Sequence, residues 1–227
     1  MHKEDVDWLL APLPSGRHGL PREHVVRSQR LRLLNAAIAV AGEDGYAAMT
    51  VSAVIAGANV SRKTFYEQFA DREHCFLAAY DLVVERALAG MRAAYGVEAS
   101  WPERLHAALG WVLETLAAHP HEARVAFVEV LVAGPRALER RDRTLRELMT
   151  PLLAPGFDAG PDGDAVPVST PAAVAGALCE LIGAHIRHGE GEQLPQLLPD
   201  LMFCALAPFV GPVAAADIAG KRLRDAC

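Results

Sequence analysis

The stretch TVSAVIAGANVSRKTFYEQF, residues 50–69, restricts this chain more than any other. Thr50 is placed to cap a short helix in which Val51, Val54, Ile55 and Ala58 form one apolar stripe. The residues ANV (58–60) then read as a tight turn, because Asn59 tolerates a positive φ better than most side chains. Ser61 caps the next helix, where Phe65 and Phe69 fall on one face and call for burial. Lys63, Tyr66 and Glu67 point the other way, with Arg62 at the exposed N-terminus. Two short helices across a three-residue turn, the second with a polar and basic outer face, describe a helix-turn-helix suited to the DNA major groove. By spacing alone, a solvated helical hairpin with ordinary surface cations stays open.

The flanks extend the pattern. From about Pro21 or Arg22 a helix carries Leu31, Leu34, Ile38 and Ala41 at helical spacing, and Gly45 is placed to stop it in a left-handed cap. Asp71 caps a fourth helix reaching about Ala94, with Phe76, Tyr80, Val83, Ala87 and Met91 on one face. Residues 1–21 interleave Pro12, Pro14 and Pro21 with Gly16 and Gly19, leave no apolar face and read as an unstructured extension. Charge is uneven: 9 Lys/Arg face 8 Asp/Glu through residue 72, and 13 face 20 beyond it, within a net of -6. Only the N-terminal end is suited to a polyanion.

Residues 30–80 resemble the N-terminal domain of the tetracycline-repressor (TetR) family of transcription regulators. The shared features are a helix ending in the Gly45–Tyr46 pair, a Thr-capped second helix, the VS pair at 60–61, the FYEQF run, and an acidic-basic helix start. Asn59 stands where the family usually has Gly, Ile55 where a small Ala is common, and Lys63 where Gly is often found. The resemblance implies an all-α protein: a three-helix helix-turn-helix domain at 22–70, then a larger ligand-binding and dimerisation domain at 71–227. It places Thr50, Ser52, Ser61, Thr64, Tyr66 and Arg72 among residues that position DNA phosphates. Arg62, Lys63, Glu67 and Gln68 are the side chains best able to reach base edges. Ser61 has a competing role as the cap of its own helix. Arg17, His18 and Arg22 would supply a minor-groove arm, but a tail without contacts is the preferred reading.

The remainder is helical and acidic. Ser100 and Glu103 form a capping box in SWPE, followed by Leu105, Leu109, Val112 and Leu116 at helical spacing. EARVAFVEVLVAG (122–134) is apolar almost all round and is expected to be central and buried. PRALERRDRTLRELMTPLLA carries Leu138, Leu145, Met149 and Leu152 on one stripe. Its five arginines would suit an anionic ligand such as an acyl-CoA, but Glu139–Arg143 and Asp142–Arg146 favour an ion-paired solvent face. Residues 154–169 read as a mobile Gly/Pro/Asp-rich loop. Two helices, about 170–188 and 194–210, close the chain, the first rich in small residues. In the family such helices pair with their symmetry mates in a four-helix bundle.

Neither catalytic residues nor metal ligands emerge, and no cofactor is implied. His119/His121 and His185/His188 have chelating spacing without an acidic partner at motif distance, and surface histidines are the default. Four cysteines without CxxC spacing, an opening MHKEDVDWLL unlike a signal peptide, and no span of about 20 apolar residues predict a reduced, cytoplasmic protein off the membrane. The expected function is a homodimeric, ligand-responsive repressor that a small, mainly apolar effector releases from a palindromic operator. The competing class is a helical small-molecule-binding protein or enzyme with an incidental DNA-binding-like domain. Tyr80, Met91, His106, Trp111, Phe127 and Met149 are the effector-pocket candidates, on inward faces where the family places its pocket. Helix 122–133 would relay the effector's presence to the helix starting at Asp71. Operator, effector, regulated genes and the sign of regulation are not encoded legibly.

Overall fold

The computed structural model describes residues 22–96, 100–160 and 166–225. The expected N-terminal extension, with Arg17 and His18, lies outside them, as does Cys227. The described residues form helices and no strands, and the chain divides into two compact units, one through Leu82 and one from Val83 onward.

The first unit is built from α1 (Arg22–Asp44), α2 (Val51–Ala58), α3 (Arg62–Gln68) and the first turns of α4 (Arg72–Tyr95). Gly45 ends α1 at φ 87°, with its N–H donating to the Ala41 carbonyl at 3.1 Å. Asn59 turns the chain at φ 50°, and its N–H reaches back to the carbonyls of Ile55 and Ala56. Leu33, Ala37, Met49, Val54, Phe65, Phe69 and Phe76 are shut off from solvent together. On α1 the buried face includes Leu33 and Ala37, whereas Leu31, expected inside, is only half-buried. Gly57 lets α2 approach α1 closely, since a Cβ there would lie 3.3 Å from the Ala36 methyl. The sequence places the domain boundary at residue 70; the compact unit runs on to Leu82 because Cys75, Phe76, Leu77, Ala79 and Tyr80 are buried.

The second unit contains the rest of α4, α5 (Trp101–Ala118), α6 (120–132), α7 (135–153), α8 (Thr170–Arg187), α9 (Leu198–Val210) and α10 (Pro212–Asp225). Its main core joins α5, α8 and α9 through Leu105, Leu109, Leu113, Leu178, Ile182, Leu201, Leu206 and Phe209. Glu103 accepts bonds from both the Ser100 N–H and its hydroxyl at 3.1 and 2.9 Å, starting α5 as the SWPE pattern predicts.

Four features depart from the sequence reading. α6 contains a π-helical turn at Val125–Glu129 and is not buried all round: Val125 and Val130 are inside, but Val132 is 68% exposed. The same turn brings Arg124 within 2.9 Å of Glu129, five residues on, and so puts a paired carboxylate inside the unit. On α7, Leu138 is exposed and Ala137 buried in its place, and Arg141 pairs with its neighbour Asp142 at 3.6 Å. The expected loop at 154–169 begins as a 3-10 turn, Ala154–Asp158, that packs tightly; residues 161–165 lie outside the described part. Finally, α9 does not end the fold. Gly211 at φ 83° breaks it, Pro212 starts α10, and α10 packs back on α9 through Ala215 and Ala219.

Two glycines of the second unit give opposite expectations. A Cβ on Gly90 would fall 1.9 Å from the Trp111 ring, whereas one on Gly176 meets nothing within 4 Å. Helix propensity favours Ala at both by roughly 1 kcal/mol. Gly176→Ala is therefore expected to raise the denaturation midpoint. Gly90→Ala is expected to lower it, because overpacking costs about 1–3 kcal/mol. Equal shifts in urea titrations would contradict the Gly90–Trp111 contact.

Candidate nucleic-acid interface

α2 and α3 are short, so their termini dominate their chemistry. The Thr50 hydroxyl accepts from the Ala53 N–H at 3.1 Å and caps α2. Ser61 Oγ accepts from the Thr64 N–H at 3.1 Å and lies 2.9 Å from Thr64 Oγ1. Both serve first to satisfy helix-end donors, and the capping role weighed for Ser61 is the one observed.

Arg62 does not project freely from α3. Its Nη2 donates to Ser52 Oγ at 3.0 Å, which ties the start of α3 to the first turn of α2. The cation is thereby held on a face where Ser52, Ser61 and Lys63 are also exposed. Lys63 is the more available charge: its side chain is 86% exposed and only loosely paired with Glu67 at 3.8 Å. Such exposed pairs contribute little to stability. Tyr66 is half exposed, its ring meeting Phe65 edge-on at 5.4 Å, so Phe65 anchors α3 inside while Tyr66 stands outside.

Two cations brace this unit in ways that periodicity does not reveal. The Arg30 guanidinium lies 4.6 Å above the Phe69 ring, and its Nη1 donates to the Gln68 carbonyl at 3.5 Å, at the C-terminal end of α3. There it offsets the partial negative charge of the helix end. Arg72 stacks 4.8 Å above Tyr46 and reaches the Ala47 carbonyl at 3.4 Å. It is therefore partly committed to the bend between α1 and α2. Burial raises the Tyr46 phenol pKa, with Arg72 opposing, and burial pushes the Cys75 thiol up to about 12, leaving it neutral. Asp71 caps α4 through the His74 N–H at 2.7 Å, while His74 Nδ1 accepts from the Ala70 N–H at 3.3 Å.

Three of the six effector-pocket candidates share one cluster. Met91, Trp111 and Met149 belong to a small cluster with Leu88, Ala108, Val112 and Leu152, on α4, α5 and α7. Phe127 packs on the main core, beside α8 at Gly183, and Met149 packs against that core as well. Tyr80 is buried in the first unit and His106 is half-buried on α5. The sequence grouped them by inward face, and an inward face does not say which core it meets. Among the described residues no three His, Cys, Asp or Glu side chains are placed to hold a metal ion. No helix there is long and apolar enough to cross a membrane.

The described residues thus form a capped helix-turn-helix with an exposed hydroxyl-and-cation face, followed in the chain by a larger helical domain. Residues 33–79 match the model of the tetR family of bacterial regulatory proteins, and this segment is a tetR-family DNA-binding domain. No curated protein matches the sequence significantly. Among solved structures, the fold is similar to the fatty acid degradation regulator FadR from Bacillus halodurans (TM-score 0.69, 19% identity, covering 81% of this chain and 95% of that one). It is also similar to FadR from Bacillus subtilis in complex with stearoyl-CoA (0.65, 17%, 80% and 98%). A third is a gamma-butyrolactone receptor, an ArpA-like protein (0.64, 17%, 88% and 99%).

Proposed function

We propose that this protein is a cytoplasmic, homodimeric, ligand-responsive transcriptional repressor and not an enzyme. The observation that carries the reading is the α2–α3 unit, whose two helices are locked by the Arg62–Ser52 bond beneath an exposed polar face. α3 enters the major groove of a palindromic operator. Lys63, Glu67, Gln68 and Arg62 face base edges there. Thr50, Ser52, Ser61, Thr64, Tyr66 and Arg72 hold the backbone in register, with Ser61 and Thr64 doing so from capped positions.

Dimerisation uses the outer faces of α8 and α9. Ala173, Ala177 and Leu181 recur every four residues on α8 and are exposed, and Phe203 is exposed on α9. Leu206 is wholly buried within the protomer, so it belongs to the core and not to this face. The effector is small and mainly apolar, bound beside the Met91–Trp111–Met149 cluster. Similarity in fold to a gamma-butyrolactone receptor supports that class of ligand. Repression is relieved when the effector favours a spacing of the two α3 helices that no longer fits successive grooves.

The test is selection of bound sequences from random DNA, followed by salt titrations on the selected site. A palindrome is expected. Lys63→Ala is expected to weaken binding and flatten the salt slope, with helical content unchanged, since a cation is lost from the DNA-facing side and no core residue is touched. An unselective pool, or an unchanged slope with unchanged affinity, contradicts the reading.

A further inference from the structure

At the start of α5 the second unit has an open cleft of about 650 Å³, within the size range of small-molecule sites. Trp101, Pro102, Pro155, Val210, Ala214 and Ile218 supply its apolar wall; Arg104 and Asp158 also line it. It is separate from the Met91–Trp111–Met149 cluster, none of which lines it. It exists because α10 follows α9, the helix that sequence periodicity does not reveal.

The wall is stiff. Trp101 Nε1 donates to the Leu152 carbonyl at 3.0 Å, and the Trp101 ring meets Phe209 edge-on at 5.5 Å. Gly156 sits so close that a Cβ would lie 2.7 Å from both rings. Arg104 is likewise held in place, its guanidinium 4.9 Å over the Tyr95 ring. Its Nε is buried and has no hydrogen-bond partner. A guanidinium on the cleft wall is matched in shape and charge by a carboxylate. Among the described residues no ion pair joins Arg104 to Asp158.

We infer that this cleft binds a small organic carboxylate with an apolar body, its carboxylate on Arg104. Asp158 selects for a hydroxyl or ammonium donor near the carboxylate and against a second negative charge. The site is additional to the proposed effector pocket and does not depend on it.

Calorimetric titration of the full-length protein with phenylacetate, 3-phenyllactate and phenylacetamide tests this. Phenylacetate is expected to bind saturably, 3-phenyllactate more tightly, and the uncharged amide about 10-fold more weakly than phenylacetate, since a charge-assisted bond is lost. Arg104→Gln is expected to weaken both carboxylates about 10-fold. Ala214→Phe, at an exposed position that tolerates a larger side chain, fills the cleft and is expected to abolish all three signals. Asp158→Ala, which removes the acceptor, is expected to erase the preference for phenyllactate, and an unchanged preference overturns the donor requirement. Trp111→Ala is expected to leave binding intact, which separates this cleft from the effector pocket. No saturable binding by the wild type overturns the inference. So does binding retained in Ala214→Phe or in a folded Arg104→Gln.

Discussion

Replacing Phe65 by alanine is expected to unfold the DNA-binding unit under conditions in which the second unit remains helical. The ring is wholly buried, packed 5.7 Å from Phe69 at the C-cap of α3, and Phe65 is the buried side chain within α3 itself. Truncating a buried Phe costs about 3–5 kcal/mol. That is a large part of the roughly 5–15 kcal/mol that stabilises an ordinary domain. α3 has seven residues, too few to persist without its tertiary contacts. Tyr66→Phe is the matched control. It keeps the edge contact to Phe65 and removes only an outward phenol, so stability is expected to hold within about 0.5 kcal/mol while operator affinity falls. Urea titrations followed by circular dichroism, with operator binding measured in parallel, check both. An undisturbed first transition in Phe65→Ala would show that α3 is anchored by something other than this core.

A negative charge on the outer face of α8 or α9 is expected to separate the proposed dimer. Ala177→Glu and Phe203→Glu place a carboxylate on surfaces that are exposed in the protomer, so each should fold as a monomer. In the paired state either charge would be buried without a partner, at a cost that a dimer interface does not absorb. Losing the second half-site contact is expected to lower operator affinity by on the order of 100-fold or more, as expected when linked binding becomes single binding. Leu206→Glu should differ in kind, since it puts a charge inside the protomer core and is expected to yield misfolded protein. Sedimentation showing intact dimers for both surface variants would move the interface elsewhere.

The helix-turn-helix was legible because its signals are local. Thr50, Ser61 and Asp71 cap the helices they precede, Gly45 and Asn59 take positive φ, and Phe65 and Phe69 face inward, all within reach of neighbouring residues along the chain. α10 is not expected from the periodicity, although its signal is equally local: Gly211–Pro212 marks one helix end and the next helix start. The π-helical turns of α6 and α7 leave no comparable mark, since they shift the phase of a helix without changing its residue types.

The sequence by itself determined the all-helical class, the caps and turn of the DNA-binding unit, and the outward polar face of α3. Caps, φ preferences and helical periodicity act between residues only a few positions apart. Only the tertiary structure decided that Arg30 braces Phe69 from 39 positions away and that Arg62 is held by Ser52. It alone brought Arg104, Asp158 and Ala214 to one cleft. Periodicity reports that a side chain faces inward; which partner it meets depends on how whole helices pack, and that is set by the sum of many weak, non-directional contacts spread along the chain.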